Sequence, residues 1–128
     1  MIKISLLLIS IFSLLYGLVF SFAPYFFAEL TQAETTNIAW LRNIGASICG
    51  VLFLGLLYVY RFPSKNYDLF IIITITSILQ TLGLIFSRFY NEFSAQNTLV
   101  IDFTIYSAVF VSLYLFYILL NYKSIFNK

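Results

Sequence analysis

The sequence predicts an all-α fold: an integral membrane four-helix bundle of up-down-up-down topology, with both termini on the cytoplasmic side. Four apolar stretches predict this fold, and they cover Ile4–Phe22, Ile38–Tyr60, Leu69–Phe86 and Leu99–Leu120. Each is about as long as a helix must be to cross the roughly 30 Å hydrocarbon core of a bilayer. Charged residues make up 9% of the chain and mark the ends of these stretches. Because four helices and short connections use all 128 residues, we expect one transmembrane domain, residues 1–128.

The composition indicates a lipid environment. Hydrophobic residues make up 62% of the chain and charged residues 9%. Charged residues make up about 25% of an average soluble domain. A soluble fold of this size could not bury so much apolar surface, because small domains have much surface for their volume. The expected partners are therefore the lipid bilayer and a membrane partner protein or further copies of the chain in a homo-oligomer. The net charge of +2 gives no nucleic-acid signal.

The first apolar stretch has a second interpretation, a cleaved signal peptide. Lys3 precedes the stretch, and Ser21-Phe22-Ala23 resembles a cleavage site with small residues. The stretch is longer than the roughly 7–15 residues of a signal-peptide core. Pro24 would also directly follow the cut, and we expect this to disfavour cleavage. We therefore expect the first helix to be retained.

The connection at 23–37 predicts a break followed by a short helix. Pro24 should end or kink the first helix. The residues after it are mainly apolar with acids between and after them, which is typical of a helix lying in the membrane interface; they are Tyr25, Phe26, Phe27, Leu30, Glu29 and Glu34. Three polar residues then offer N-caps for the second helix, namely Thr35, Thr36 and Asn37.

The basic residues predict the orientation. Four spans place both termini and the middle connection on one side, and five basic residues fall there: Lys3, Arg61, Lys65, Lys123 and Lys128. The other side has Arg42 and Arg88. The positive-inside rule then predicts cytoplasmic termini. If the protein is bacterial, we expect it in the cytoplasmic (inner) membrane.

Small and polar residues on the four stretches predict how the helices pack. In lipid the helices have no hydrophobic drive to associate, so close packing and polar contacts must hold them together. The first two stretches carry small residues four apart, which are Ser13, Gly17 and Ser21, then Gly45 and Cys49. The third carries Thr74, Ser77 and Thr81, with Thr76, Gln80, Gly83 and Ser87 on neighbouring faces. We interpret these faces as helix–helix contacts; the alternative is a polar cavity that includes Gln80, near mid-membrane.

Two charged residues lie about one turn inside their apolar stretches, at the outer end. Arg42 lies in the second stretch and Asp102 in the fourth. We expect Arg42 to pair with Asp102 or Glu34, because a guanidinium binds a carboxylate at two points. The alternatives are an outer pocket for an anionic head group or solute, and simple snorkelling to the interface. The candidate ligand-binding residues are Arg42, Asp102, Gln80, Asn43, Trp40 and Tyr106.

Patterns typical of catalysis are missing. The chain has no histidine, which removes the best proton shuttle at neutral pH and the commonest metal ligand. Its single cysteine, Cys49, excludes an intrachain disulfide and a thiolate metal cluster. We therefore expect no catalytic residue, no metal and no cofactor.

One resemblance adds to these observations. Pro24 follows the first stretch, and Trp40-Leu41-Arg42-Asn43-Ile44-Gly45 heads a second stretch that also carries Gly50 and Gly55. This arrangement resembles the DoxX-like group of small four-helix membrane proteins. The resemblance implies an accessory or scaffolding role, since some members are accessory subunits of quinone or sulfur oxidation systems. Small multidrug exporters resemble the chain less, because their first span carries a glutamate.

These observations favour a non-enzymatic accessory or interaction subunit in the membrane. The alternative is a binder or transporter of a small or lipid-like molecule, with a polar pocket near the outer face. A membrane enzyme acting on a lipid or quinone is the third hypothesis.

Overall fold

A computed structural model describes residues 2–32, 38–93 and 95–126. In that part of the chain the secondary structure is helical, and it begins with α1 (Ile2–Phe22), α2 (Pro24–Thr31) and α3 (Ile38–Ser47). A π-helical segment, Ile48–Leu54, joins α3 to α4 (Gly55–Arg61) without a break. After a 3-10 turn at Pro63–Lys65 follow α5 (Tyr67–Phe89), α6 (Thr98–Leu120) and the short α7 (Tyr122–Phe126). The all-α expectation is confirmed.

Four of these helices are long and apolar enough to cross a membrane. They are Ile2–Phe22, Ile38–Arg61, Tyr67–Phe89 and Leu99–Leu120, called below the first to fourth apolar helices. The ends of these helices lie within three residues of the ends of the expected apolar stretches. The third apolar helix, Tyr67–Phe89, is longer than expected at both ends, because its flanking polar and aromatic residues continue the helix.

Pro24 acts as the sequence predicts. The first apolar helix ends at Phe22, and Ala23 leaves the helical conformation with φ −125° and ψ 46°. Pro24 then occupies the first turn of α2, where its missing N–H breaks no hydrogen bond. The expected short helix after Pro24 is thus present. The expected N-caps Thr35, Thr36 and Asn37 lie outside the described residues.

The turn before α6 fastens it to the end of α2. Asn97 caps α6, since its side chain accepts a hydrogen bond from the backbone N–H of Leu99 at 3.2 Å. The same side chain donates to the Leu30 carbonyl at 3.2 Å, and the Asn97 backbone N–H donates to the Thr31 carbonyl at 3.1 Å. These bonds satisfy carbonyl groups that the last turn of α2 cannot pair internally.

The apolar core lies at one end of the bundle, and every apolar helix contributes to it. Its buried members are Leu6, Leu56, Val59, Phe70, Ile73, Leu115, Ile118 and Tyr122. The last of these closes the core from α7, and its hydroxyl donates a hydrogen bond to the carbonyl of Pro63. This core therefore joins the start of the first and third helices to the end of the second and fourth.

Candidate functional site

The first and second apolar helices approach most closely where two glycines face each other. A methyl group added at Gly45 would lie 2.7 Å from the Gly17 carbonyl oxygen and 2.7 Å from the Ser21 backbone nitrogen. A methyl group added at Gly17 would collide with the sulfur of Cys49. Only a residue without a side chain fits where the neighbour is backbone, so the small-residue faces expected on these helices are in contact.

This crossing places Arg42 against the end of the first helix. Arg42 precedes Gly45 by about one turn, and its Nη1 donates to the Ser21 carbonyl oxygen at 3.0 Å. Ser21 lies in the last turn of the first helix, where carbonyl groups lack an intrahelical donor and the helix dipole favours a cation. Arg42 therefore caps the first helix.

Asp102 pairs with Arg88, not with Arg42. The Arg88 Nε donates to Asp102 Oδ1 at 2.7 Å, and its Nη2 donates to Oδ2 at 3.3 Å. This two-point contact occupies both carboxylate oxygens, and Arg42 is already bonded to the first helix. The expected Arg42–Asp102 pair is thus corrected to Arg88–Asp102. Glu34, the other expected partner of Arg42, lies outside the described residues.

The register of the third and fourth helices explains the partner of Asp102. Three buried hydroxyls join these helices: Ser112 Oγ lies 2.8 Å from Ser77 Oγ and 2.8 Å from Thr81 Oγ1. Thr81 also donates to the Ala108 carbonyl at 3.2 Å. Contacts therefore run in opposite directions along the two helices, and the same register carries Arg88 to Asp102. The polar face expected on the third helix, which carries Ser77 and Thr81, was the signal that could have indicated Arg88 as the partner.

A small cavity adjoins this ion pair. It has a volume of about 120 Å³ and is lined by Ile85, Arg88, Asp102, Ile105 and Tyr106. The two paired side chains are 36% and 32% exposed, so water reaches them. Ligand pockets for drug-sized molecules have volumes of about 300–1,000 Å³. This cavity has room only for a small group or ion beside the pair.

The structure brings only two of the predicted site residues to this cavity, Asp102 and Tyr106. The side chain of Tyr106 is 73% exposed and Trp40 is 64% exposed. Asn43 is exposed on the second helix, and Arg42 is bound to the first. The residues of the predicted pocket therefore do not all line this cavity.

Gln80 has a different environment from the other predicted site residues. It is half-buried and lies near the middle of the third apolar helix, Tyr67–Phe89. Its amide makes no hydrogen bond with any residue in the described part of the chain. By contrast, no fully buried polar side-chain atom in the described residues lacks a partner. Gln80 thus carries a mid-helix amide that takes no part in the polar contacts between the third and fourth helices.

A second cavity lies beside the core, where α6 ends and α7 begins. It has a volume of about 270 Å³ and is lined by Tyr67, Leu119, Leu120, Asn121, Tyr122, Lys123 and Ser124. Burial raises the pKa of Tyr122 to about 12, because the phenolate would lose its hydration there. No sequence pattern indicates this cavity, since only the fold brings Tyr67 to α7.

The described residues contain no group of three or more His, Cys, Asp or Glu side chains that could hold a metal ion. Within the same residues Cys49 is a free thiol packed against Gly17.

No family model matches this chain, and comparisons with curated proteins and with solved structures give no significant match.

Proposed function

We propose that this chain is a non-catalytic membrane subunit that associates with other membrane-spanning segments through its third apolar helix. The observation that carries the proposal is Gln80. Its amide lies near mid-helix without a hydrogen-bond partner in the described residues. Moving an amide into an apolar medium without a partner costs roughly 2–7 kcal/mol. A donor and an acceptor from outside the chain would remove that cost.

The surroundings of Gln80 favour a helix as the partner. The hydroxyls nearest in sequence that face the fourth helix, Ser77 and Thr81, are already bonded to Ser112. Gly83 lies on the same side of the third helix as Gln80, and a methyl group added there would meet no atom of the described residues within 4 Å. A glycine beside an unpaired amide allows another backbone to approach closely, as at contacts between membrane helices.

The DoxX-like resemblance is consistent with an accessory role of this kind. The residues that carry the resemblance have structural tasks in this chain. Arg42 caps the first helix, and Gly45 allows the second helix to cross it. The resemblance and the unpaired Gln80 amide thus support the same proposal from separate residues.

The proposed topology is up-down-up-down, with both termini cytoplasmic and, in a bacterium, in the inner membrane. The basic residues support it, since Arg61, Lys65 and Lys123 lie at the end that carries the apolar core. Contacts in opposite chain directions, such as Ser10 to Phe53 and Arg42 to Ser21, support it as well. A reporter that is active only in the cytoplasm, fused after Lys128, should be active; an inactive fusion with a periplasmically active counterpart would reverse the topology.

The cavity beside Arg88 and Asp102 favours a second candidate, the binding of a small anionic group at the outer end. Two of the five guanidinium donors of Arg88 are used by Asp102, and others are left for a ligand. Titration with inorganic phosphate, followed by the thermal stability of the protein in detergent, tests it. Stabilisation that disappears in Arg88→Gln supports binding, and a flat titration argues against it.

The main proposal is tested by the mass of the protein extracted from its membrane with the surrounding lipid retained. The wild-type chain should be found in a species heavier than a single chain of 14.8 kDa. Gln80→Leu should shift it toward the single chain, because leucine has no donor or acceptor. Leu82→Ala, at an exposed position of the same helix away from the face of Gln80 and Gly83, is the matched control and should leave the mass unchanged. A wild-type protein that is a single chain would contradict the proposal.

A further inference from the structure

Four residues of the third apolar helix form one continuous seam. Thr76, Gln80, Gly83 and Ser87 alternate four and three residues apart. This spacing is the 3.5-residue repeat of helices that wind around each other with a left-handed twist, which is also the common geometry of membrane helix pairs. A second helix could therefore follow the seam along its whole length.

The seam continues from a residue that contacts the second apolar helix. Ile73 is the preceding position of the same repeat, and its side chain lies within 3.2 Å of the place that a methyl group on Gly55 would take. Beyond it, none of the three polar seam residues, Thr76, Gln80 and Ser87, has a side-chain hydrogen bond with another described residue. The three are half-buried, and the glycine among them borders open space.

We propose that the partner on this seam is a second copy of the chain, related by a twofold axis along the membrane normal. The inference rests on the proposed function and names its partner. Two copies inserted in the same orientation present parallel third helices, so that each seam residue meets its own counterpart. The Gln80 amides of the two copies then exchange hydrogen bonds.

The chemistry of the seam suits pairing of like with like. A carboxamide carries both donors and an acceptor, and a hydroxyl donates and accepts. Each polar seam residue can therefore satisfy an identical residue, whereas a seam of lysines or of carboxylates would repel its copy. The partial charges are self-complementary, and Gly83 permits the close approach of the two backbones that short side-chain hydrogen bonds need.

Disulfide formation between copies tests the seam directly. In a Cys49→Ser background, Gly83→Cys should give a cross-linked dimer under mild oxidation in native membranes, because counterpart residues on the seam come within disulfide distance. Leu82→Cys is the matched control: it is the adjacent residue on another, exposed face. Thr76→Cys is a second seam position and should cross-link like Gly83→Cys. Equal yields at Leu82 and at the seam positions would indicate random collision and overturn the proposal.

Energy transfer between labelled copies measures the strength of the pair. Diluting the protein in lipid vesicles should separate the copies, and Gln80→Leu should weaken the association by about 3- to 30-fold, as expected for loss of inter-helix hydrogen bonds. Gln80→Asn, which retains the amide, should restore part of it.

The outcomes separate this inference from the proposed function. If the seam cysteines do not cross-link between copies, while Gln80→Leu still reduces the mass of the species extracted from native membranes, the partner is a different chain and the second-copy inference is overturned. If the wild-type chain is a single chain both in native membranes and in vesicles, the inference and the proposed function both fail.

Discussion

The two helix pairs of the bundle are held together by different contacts. The first and second apolar helices pack closely at Gly17 and Gly45. These residues have no side chain, so the two backbones lie against each other. The third and fourth meet through buried hydroxyls, Ser77 and Thr81 bonded to Ser112. Arginine has a separate task in each pair. Arg42 caps a helix end, and Arg88 binds a carboxylate on the neighbouring helix.

The difference shows what each pair can tolerate. A backbone contact is sensitive to added volume, because a peptide group cannot rotate away as a side chain can. A hydroxyl contact is sensitive to lost polarity, because its remaining members keep donors and acceptors that lipid cannot satisfy. The third helix also carries a second polar face, at Gln80, which contacts neither the fourth helix nor the glycine pair through a hydrogen bond in the described residues.

The largest effect is expected from added volume in the first pair. Gly45→Val places methyl groups against the Gly17 carbonyl and the Ser21 backbone nitrogen. Overpacking of this kind costs about 1–3 kcal/mol or more. We expect a fall of that size in the free energy of unfolding, measured by titration with sodium dodecyl sulfate and followed by the fluorescence of Trp40.

Gly50→Ala is the matched control for that substitution. Gly50 lies in the same apolar helix, and a methyl group added there would have no neighbour within 4 Å in the described part of the chain. Stability should stay close to that of the wild type. If Gly45→Val were tolerated as well as Gly50→Ala, the two helices would not be packed as closely as described.

A smaller effect is expected from lost polarity in the second pair. Ser112→Ala removes the hydroxyl that contacts both Ser77 and Thr81. Hydrogen bonds between membrane helices contribute about 0.6–2 kcal/mol, and the free energy of unfolding should fall by about this amount. Ser107→Ala is the control, because the Ser107 hydroxyl donates its hydrogen bond to the Phe103 carbonyl in its own helix. Equal effects of the two substitutions would show that the inter-helix hydrogen bonds add no more to the free energy of unfolding than a bond within one helix.

The ion pair of the second pair of helices should give a smaller effect still, because water reaches it. In a double-mutant cycle, Arg88→Gln and Asp102→Asn together should cost less stability than the sum of the single changes. The cycle with Arg42→Gln and Asp102→Asn should be additive, since Arg42 bonds to the first helix instead. Coupling between Arg42 and Asp102, with additive effects of Arg88 and Asp102, would instead support the Arg42–Asp102 pair expected from the sequence.

The sequence predicted the helices well and the pairing of their polar residues only in part. Length and apolar composition are local properties, and they located all four apolar helices; spacing located the small-residue faces at Gly17 and Gly45. The partner of Asp102 depends on register, which is a property of two helices together. Arg88 lies on the third helix and Arg42 on the second, so the partner of Asp102 also depends on which helix its face meets, and composition carries no such information. The unpaired state of Gln80 likewise depends on tertiary contacts, because Ser77 and Thr81 bond to Ser112 of the fourth helix and not to the Gln80 amide.

What joins the two helix pairs is the apolar core, and Tyr122 gives a way to test it with pH. The pKa of Tyr122 is raised from 10.0 to about 12 by burial. Between these pH values the unfolded chain releases the phenolic proton first, so the free energy of unfolding should decrease as pH rises from about 10 to about 12. Below pH 10 the stabilising contribution is fully present. Tyr122→Phe should show less of this decrease than the wild type, in unfolding titrations at matched pH. An equal decrease in both proteins would mean that Tyr122 is hydrated, and that the core between the pairs is open at α7.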